Sequence, residues 1–321
     1  MNVFWGIAEA IFEPNHILTV GTFDGVHLGH QKILARLNEI AKIKNGLSLI
    51  ITFEPHPQFV VRRPEKEPIK LLTTIEERLK LFAKFNIDRV LVIPFTKEFS
   101  ETTAENFVTE ILYKKIGFSH ILVGYDHFFG KNREGNFELL EKLSKKLSFE
   151  VERIPAYITN EITISSTKIR NALLQNQIEF ANKLLGYDYF IQGTVVPGDG
   201  RGTTMGFPTA NIKFNDEHKL VPTNGVYLVY SLINDKIIFG MANLGFRPTF
   251  YTDRKKILEV HFLDFSSNLY GKTINVHFLK YLRSEQKFNS IDDLLIQLNK
   301  DKEICKNYIQ KLNIDKNFVI L

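Results

Sequence analysis

The stretch from Gly193 to Asn211 carries residue types whose spacing suits phosphate chemistry. Five glycines fall within its first fourteen residues, and backbone without side chains can close its N–H groups around an anion such as polyphosphate. A glycine-rich loop by itself is more often a simple turn. This loop supplies four candidate phosphate contacts: Gly198, Gly200, Gly202 and Gly206.

The loop runs directly into Gly206-Phe-Pro-Thr-Ala-Asn211, which is too rigid and too polar for an ordinary linker. If the chain is extended here, the Thr209 hydroxyl and the Asn211 amide oxygen share a face. Neutral oxygen ligands of this kind suit a Mg²⁺ ion that already carries phosphate oxygens and water. Thr209 and Asn211 are therefore the candidate metal ligands, and Thr209 is also a candidate phosphate contact.

A second arrangement suited to phosphate lies near the N-terminus. Apolar residues 17–21 predict a strand, and residues 31–44 have the apolar spacing of a helix. A tight turn with glycine joins them, and a strand, a turn and a helix N-terminus together bind anions in open α/β sheets. The candidate ATP contacts of this turn are Thr22, Phe23, Asp24 and Gly29.

His27 and His30 form the pattern H-x-G-H where this helix begins. Three residues apart, they share a helical face and can donate hydrogen bonds to nucleotide phosphates, while Gly29 lets the ligand approach. They are the candidate catalytic residues of this site. Two surface histidines on an ordinary helix are the alternative.

This H-x-G-H resembles that of the nucleotidyltransferase superfamily, which includes the class I aminoacyl-tRNA synthetases. Residues 164–170 resemble the I-S-S-T-x-x-R element of adenylyltransferases, and residues 123–130 resemble V-G-x-[DN]-[FH]-x-F-G. Hydroxyls at a helix start and an arginine one turn on could form a second phosphate clamp; a plain N-cap is the alternative. The resemblance implies these further ATP-site residues: Asp126, Ser165, Ser166, Thr167 and Arg170.

The loop that ends in Gly-Phe-Pro-Thr-Ala-Asn closely resembles the signature of riboflavin kinases. Together with Phe53-Glu-Pro-His-Pro57, the motifs resemble the bacterial bifunctional riboflavin kinase/FAD synthetase family along nearly the whole chain. Membership implies phosphorylation of riboflavin to FMN and then adenylyl transfer from ATP to FMN. ATP, riboflavin and FMN are the implied substrates, FMN and FAD are also products, and Mg²⁺ accompanies ATP.

Phosphorylation of a ribityl hydroxyl benefits from a general base, since that proton is not lost at neutral pH. The resemblance assigns this role to Glu259, on a predicted strand where Glu259, His261 and Leu263 share a face. A salt bridge is the alternative, and His261 and Asp264 are weaker candidates. The resemblance also implies three flavin-site residues: Asn243, Arg247 and Arg283.

Adenylyl transfer has different needs, because the FMN phosphate is already ionised and needs no base. The site has to align FMN with the α-phosphorus of ATP and stabilise the charge that moves onto pyrophosphate. Histidines, hydroxyls and an arginine supply such donors, and Asp126 is expected by resemblance to hold a ribose hydroxyl.

The elements that must position these residues change in style after Gly186. Before it, strands at 17–23, 47–53, 89–95, 119–125 and 149–155 alternate with helices at 28–44, 73–86, 102–116 and 137–147. After it, short strands at 189–196, 225–233, 236–243, 257–265 and 273–280 precede a helix at about 290–312. We therefore predict an α/β nucleotidyltransferase-like, Rossmann-like domain over residues 1–186. An antiparallel β-barrel riboflavin kinase domain over residues 187–321, closed by a helix, is predicted to follow.

Capping boxes at Thr73-x-x-Glu76 and Thr102-x-x-Glu105 are predicted to begin two of the helices. Pro197 and Thr203 depart from the family pattern, which frequently has histidine and arginine there. The loss of a cation at position 203 is expected to weaken nucleotide binding or alter loop closure, with the metal and base positions intact.

Composition limits the other function classes. The 321 residues are 44% hydrophobic, enough for two cores, and no apolar run is long enough to span a membrane. The single cysteine, Cys305, has the spacing of a core helix residue and excludes an internal disulfide, so we expect a reducing cytoplasm. The net charge of +5 is spread over both halves, and neither a nucleic-acid nor a membrane partner is expected.

Three rival classes share single features with this chain. A cytidylyltransferase would share H-x-G-H but would not need the loop at 193–211. A class I aminoacyl-tRNA synthetase would carry a lysine-rich second signature and a tRNA-binding domain. A non-catalytic flavin- or RNA-binding protein would not need two phosphate sites and Glu259.

Overall fold

The computed structural model describes residues 1–61, 67–159, 162–198, 200–246 and 256–314. The chain forms two compact units, which divide between Ser166 and Thr167.

The first unit is built on a six-stranded sheet in which every paired neighbour is parallel, in the order β1-β4-β3-β2-β5-β6. The strands are β1 (Asn2–Trp5), β2 (His16–Val20), β3 (Leu47–Glu54), β4 (Arg89–Pro94), β5 (His120–Gly124) and β6 (Glu150–Ile154). A two-stranded hairpin, β7 (Ile158–Thr159) and β8 (Ile162–Thr163), follows. The predicted parallel α/β fold is confirmed. Strand β1 was not predicted; it is only four residues long, lies at the sheet edge, and has no fully buried residue.

Helices cover this sheet. They are α1 (Leu28–Ile43), α2 (Pro57–Val60), α3 (Ile75–Lys84), α4 (Lys97–Ser100), α5 (Ala104–Asn106) and α6 (Phe137–Leu147), with a π-helix at Phe107–Ile116 and 3₁₀ turns at Ile7–Glu9 and Lys131–Arg133. The π-helix and α6 pack on the sheet through a buried core that includes Leu18, Ile51, Phe107, Leu112, Phe118 and Leu143.

The N-caps of both predicted capping boxes were wrong by one residue, and at the second helix Asn106, not a glutamate, stands three residues after the N-cap. The N-cap of α3 is Thr74, whose hydroxyl accepts from the backbone of Glu77 while the Glu77 carboxylate accepts from the Thr74 N–H. The N-cap of α5 is Thr103. Thr73 does not cap α3 because its hydroxyl is hydrogen-bonded to the turn at Asp24 and Gly25.

The second unit contains a closed six-stranded antiparallel barrel, in the order β10-β13-β12-β11-β14-β9. Its strands are β9 (Phe190–Val196), β10 (Ala210–Phe214), β11 (Gly225–Ile233), β12 (Lys236–Phe246), β13 (Lys256–Phe262) and β14 (Thr273–Arg283). The predicted barrel is confirmed, and β10 is an additional strand. Its five residues alternate between apolar and polar types, but the strand is short and directly follows the glycine loop and Pro-Thr, and it was not predicted.

Two helices, α7 (Ser166–Leu174) and α8 (Ile178–Leu185), precede the barrel strands in sequence. The short α9 (Arg201–Thr204) lies between β9 and β10, and α10 (Ile291–Ile314) follows β14. Cys305 on α10 is fully buried in a cluster with Phe207, Leu228 and Met241, as its helical spacing predicted. Within the ranges described, no helix combines the length and the apolar character that a membrane crossing requires.

Candidate active sites

In the first unit, the two histidines of H-x-G-H stack on each other. Their ring centroids are 3.6 Å apart and the ring planes are inclined by 13°. His27 is the N-cap of α1, with extended backbone, and its Nδ1 accepts from the His30 N–H at 3.3 Å. In neutral His27 the proton therefore lies on Nε2, which is a hydrogen-bond donor. The structure brings the two candidate catalytic residues together at the helix N-terminus.

The environment keeps His30 uncharged. Burial, with smaller contributions from the charges of His27 and Arg78, holds the pKa of His30 well below its usual value. The Nδ1 atom of His30 is buried and has no hydrogen-bond partner among the described residues. His30 therefore offers a neutral imidazole, which stabilises a phosphate by hydrogen bonding rather than by full charge.

The segment that leads into α3 is hydrogen-bonded to the turn before the histidines. The Asp24 carboxylate is only 1% exposed and accepts from the backbone N–H groups of Leu72 and Thr73 at 3.1 and 3.0 Å. The Thr73 hydroxyl in turn accepts from the Gly25 N–H at 2.9 Å. These contacts give Asp24 a positioning role in the turn, and its predicted contact with ATP stays a prediction.

Two further turn residues pack on the histidines. Phe23 is buried, and its ring meets the His30 ring edge-on at 5.1 Å between centroids. A Cβ at Gly29 would come within 3.2 Å of the His27 ring. A larger residue at position 29 would therefore press on the His27 imidazole. This steric role is separate from the predicted one, in which Gly29 lets the ligand approach.

The second phosphate motif reaches the first through Ser166. Its hydroxyl donates to the Asp24 carbonyl at 2.9 Å, so Ser166 itself lies against the H-x-G-H turn within the first unit. Ser165 directly precedes α7, and Thr167 and Arg170 lie on its first turns, beyond the division between the units. Asp126 lies exposed after the end of β5. Burial, with a smaller contribution from the Asp126 carboxylate, raises the pKa of Tyr125.

In the second unit, three predicted residues form one row across the barrel strands. Asn211 on β10 is the register partner of Glu259 on β13, and Glu259 is the partner of Asn243 on β12. Directly opposed residues project from the same face, with Cβ atoms about 5 Å apart. Because Leu258 and Val260 are fully buried inside the barrel, the row lies on its outer face.

The glycine loop is fitted to this row. A Cβ at Gly198 would overlap the Asn211 side-chain amide, and a Cβ at Gly202 would overlap the Phe207 carbonyl. Gly200 and Gly206 have φ values of 74° and 77°, which are unfavourable for other residues, and a side chain there would meet open space. Two of the loop glycines are thus required by close packing and two by backbone conformation.

Thr209 lies at the end of this loop, directly before β10, where its side chain is half-buried. His261, two residues after Glu259, is hydrogen-bonded through Nδ1 to the Pro208 carbonyl at 2.9 Å and packs on the Phe207 ring. His261 therefore supports the loop.

The three residues predicted to bind flavin stay predictions, and two of them have partners within the second unit. The Asn243 amide donates to Glu285 at 3.4 Å, and Arg247 lies outside the described residues. The Arg283 guanidinium forms a two-pronged ion pair with Asp301 of α10, at 3.0 Å from Nε and 2.7 Å from Nη2. Asp301 is 1% exposed, so the contact fixes α10 to the barrel. A contact of Arg283 with flavin stays a prediction.

Sequence reasoning missed several residues that organise these sites: Thr73, Arg78, Glu285 and Asp301. Each works through a contact between segments distant in the chain. For Asp301, the usable signal was an acidic residue on the face of α10 that also carries Cys305, because a charge on a buried face needs a partner.

The side-chain oxygen donors around Asn211 are of the kind that bind Mg²⁺ together with nucleotide phosphate. Among the described residues, no cluster of three or more histidine, cysteine or acidic side chains could hold a metal by itself. Asn211 is buried and neutral, and its row neighbour Glu259 is the adjacent carboxylate. Mg²⁺ usually takes few protein ligands and completes its shell with phosphate oxygens and water, so this donor set fits it.

Known proteins are similar to this chain along nearly its whole length. The family model for FAD synthetase matches residues 10–168, and the model for riboflavin kinase matches residues 185–309. The bifunctional riboflavin kinase/FMN adenylyltransferase of Listeria monocytogenes is 38% identical over 298 residues, which cover 93% of this chain and 94% of that protein. The chain belongs to this bifunctional family. The predicted family is confirmed, with the adenylyltransferase part before the kinase part.

Other family members are similar over nearly the same length. The protein of the same name from Buchnera aphidicola subsp. Schizaphis graminum is 41% identical, covering 92% of this chain and 94% of the relative. The Escherichia coli K12 protein is 38% identical, covering 91% and 92%. A solved structure from Streptococcus pneumoniae, titled a macrolide-efflux protein, is 29% identical with a TM-score of 0.86, covering 96% of this chain and 99% of that one.

Proposed function

We propose that Glu259 is the general base that activates the terminal ribityl hydroxyl of riboflavin. The register row supports this, because it puts Glu259 directly between Asn211, a candidate metal ligand, and Asn243, a candidate flavin contact. A base in this position can take the hydroxyl proton while the oxygen attacks the γ-phosphorus of ATP. The transferred phosphoryl group ends on riboflavin, and ADP leaves.

We propose that Thr209 and Asn211 hold Mg²⁺ with the ATP phosphates. The bound ion would neutralise charge on the transferred phosphoryl group. The glycine loop adds backbone N–H groups, and the fit of Gly198 and Gly202 against Asn211 and Phe207 keeps that loop close to the row.

For adenylyl transfer, we propose that His27 and His30 donate hydrogen bonds to the ATP phosphates while the FMN phosphate attacks the α-phosphorus. The bond from that phosphorus to the β-phosphate oxygen breaks, and pyrophosphate leaves with the added negative charge. The stacked rings, with Ser166 fixed beside the turn, support this assignment. Ser165, Thr167 and Arg170 are proposed as further phosphate contacts.

A single time course tests both proposed reactions, riboflavin phosphorylation and adenylyl transfer to FMN. Purified chain with riboflavin, ATP and Mg²⁺ should form FMN and ADP first, then FAD and pyrophosphate. Removal of Mg²⁺ by EDTA should stop FMN formation, and added Mg²⁺ should restore it. FMN formation at an unchanged rate in EDTA would overturn the assignment of Thr209 and Asn211.

We further propose riboflavin, FMN and ATP as the substrates of this chain and a reducing cytoplasm as its location. The single cysteine supports the location, because Cys305 is a buried free thiol whose pKa is raised to about 12, mainly by burial. Such a thiol is unreactive and forms no disulfide.

A further inference from the structure

A fully buried arginine lies beneath the turn that leads to the two histidines. Arg78 on α3 is 0% exposed, and its Nη1 donates to the Thr22 carbonyl at 2.6 Å and to the Thr52 hydroxyl at 3.2 Å. Its Nη2 donates to a Glu54 carboxylate oxygen at 3.2 Å. One guanidinium therefore joins α3 to the C-terminal ends of β2 and β3, where an open α/β sheet binds its ligand.

Packing alone does not require an arginine at this position. Removing a guanidinium from water costs several kcal/mol, and a buried ion pair is often no more stable than apolar side chains of similar volume. Burial indeed lowers the pKa of Arg78, although Asp24 and Glu54 oppose the shift. A methionine could fill the same space, so the specific contribution of Arg78 is the set of hydrogen bonds it donates.

Those hydrogen bonds hold a backbone conformation that is unfavourable by itself. Phe23 has a φ of 49°, in the left-handed region that a bulky residue rarely adopts. The Thr22 carbonyl belongs to the peptide plane just before Phe23, so the bond from Arg78 fixes the orientation of that plane. The Phe23 ring, in turn, packs edge-on against the His30 ring.

The same segment contacts the turn a second time. Thr73, five residues before Arg78, donates to Asp24 and accepts from Gly25. Residues 72–78, which we call the α3 brace, thus hold both the beginning and the end of the turn. The capping box at Thr74 and Glu77 fixes the backbone of the brace between those two contacts.

We propose that Arg78 is a positioning residue for adenylyl transfer. By holding the Thr22–Phe23 peptide, it sets the place of the His30 ring against the ATP phosphates. This inference rests on the proposed function of His30. Arg78 acts through the turn and not on FMN, so its loss should lower kcat for FAD formation and leave KM for FMN unchanged.

The test compares Arg78→Met and Arg78→Lys in the full-length chain, with FAD formation from FMN and ATP as the readout. A loss of alignment predicts that Arg78→Met lowers kcat by about 100-fold. Arg78→Lys should recover part of the rate, because an ammonium keeps the charge but cannot bind all three acceptors with the same fork. Since the second unit is predicted to fold alone, the riboflavin kinase rate, which should not change, measures the amount of enzyme, and thermal unfolding of each variant measures the folded fraction of the first unit.

Two further variants separate positioning from stability. Leu81→Ala on the same helix removes a core side chain and should lower the midpoint of thermal unfolding, with no change in kcat per folded molecule. Thr52→Val removes a hydroxyl shared by Arg78 and Thr22, so it should lower kcat less than Arg78→Met does. If Arg78→Met does not fold, Arg78→Lys and Thr52→Val decide the question in the same assay.

Wild-type kcat per folded molecule in Arg78→Met, or an equal loss of kcat in Leu81→Ala, would overturn the proposal. His30→Ala distinguishes this failure from failure of the proposed function. If His30→Ala forms FAD normally, the function assigned to the histidine is wrong. If His30→Ala loses FAD formation while Arg78→Met keeps it, only the positioning role of Arg78 is wrong.

Discussion

Asn211 and Glu259 are direct cross-strand neighbours on β10 and β13, on the outer face of the barrel. The amide that we propose as a metal ligand and the carboxylate that we propose as a base therefore stand side by side. Since Asn243 extends the row on the other side of Glu259, nucleotide and flavin can be bound from adjacent strands of one sheet.

Replacement of Glu259 by Gln should lower riboflavin phosphorylation by about 100- to 10,000-fold, because the amide cannot accept the proton. Asn211→Ala should also abolish FMN formation. Added FMN should still be converted to FAD in both variants, and urea unfolding of each variant serves as the folding control for the barrel. A Glu259→Gln variant with the wild-type kinase rate would show that the base lies elsewhere.

The reverse pattern is expected for the histidines. His27→Ala and His30→Ala should each lower FAD formation by about 100- to 1,000-fold, since each removes a donor to the reacting phosphates. Riboflavin phosphorylation should stay nearly unchanged. The measurement is chromatographic separation of FMN and FAD, and an equal loss of FMN production in a folded variant would contradict the assignment.

Removal of Asp301 should destabilise the second unit. Asp301→Ala leaves the largely buried Arg283 guanidinium without its partner, at a cost of about 3–5 kcal/mol in the free energy of unfolding. The double variant Arg283→Met with Asp301→Leu should recover much of this loss, as measured by urea unfolding. An unchanged KM for riboflavin in the double variant would show that Arg283 holds α10 and does not contact flavin.

The boundary between the two activities can be tested with fragments. Residues 187–321 are predicted to fold alone and to convert riboflavin and ATP to FMN and ADP. A fragment that starts at Thr167 should be more stable, because it keeps α8, whose Asn182 amide donates to Asp188 at 2.9 Å and to the Phe278 carbonyl at 2.8 Å. A folded fragment without kinase activity would indicate that the active site needs residues from the first unit.

Asp188 should make the stability of the second unit depend on pH. Burial raises its pKa from 3.8 to about 6, against the hydrogen bonds from Tyr230 and Asn182. The folded state therefore binds the proton more tightly, and the cost of the buried charge is fully present above pH 6 and disappears as the pH falls towards 3.8.

Replacing Asp188 by Asn should therefore stabilise the protein above pH 6, by an amount of the order of 1–3 kcal/mol. The gap between variant and wild type should close between pH 6 and pH 4 in thermal or urea unfolding. The exposed Asp235→Asn in a hairpin turn is the matched control and should show no such gap. If the difference in stability between Asp188→Asn and wild type grew on acidification, the pKa of Asp188 would not be raised in the folded state.

The chemistry of both sites could be predicted from the sequence because it depends on local features. A strand, a glycine turn and a helix start are contiguous in the chain around His27 and His30, and so are the glycine loop and Thr209 with Asn211. Strand–helix alternation followed by short strands likewise fixes the fold class, since each pattern buries its apolar residues in one way.

The tertiary structure decided which of these residues meet. The neighbours of Glu259 come from strands on either side of it in the barrel, and register depends on how the whole barrel closes. The N-cap of α3 is Thr74 and not the predicted Thr73, because the Thr73 hydroxyl is hydrogen-bonded to a turn far away in the chain. Local propensity cannot anticipate such a partner.

Arg78 and Arg283 show the same limit for charge. In the sequence Arg78 looks like a surface cation and Arg283 like a flavin contact, and only packing shows that each is largely or fully buried with specific acceptors, Arg78 with Thr22 and Arg283 with Asp301. Residue types and spacing therefore determined what the chain can do chemically. The long-range contacts, which exist only once the core has excluded water, determined which side chains act and which hold them in place.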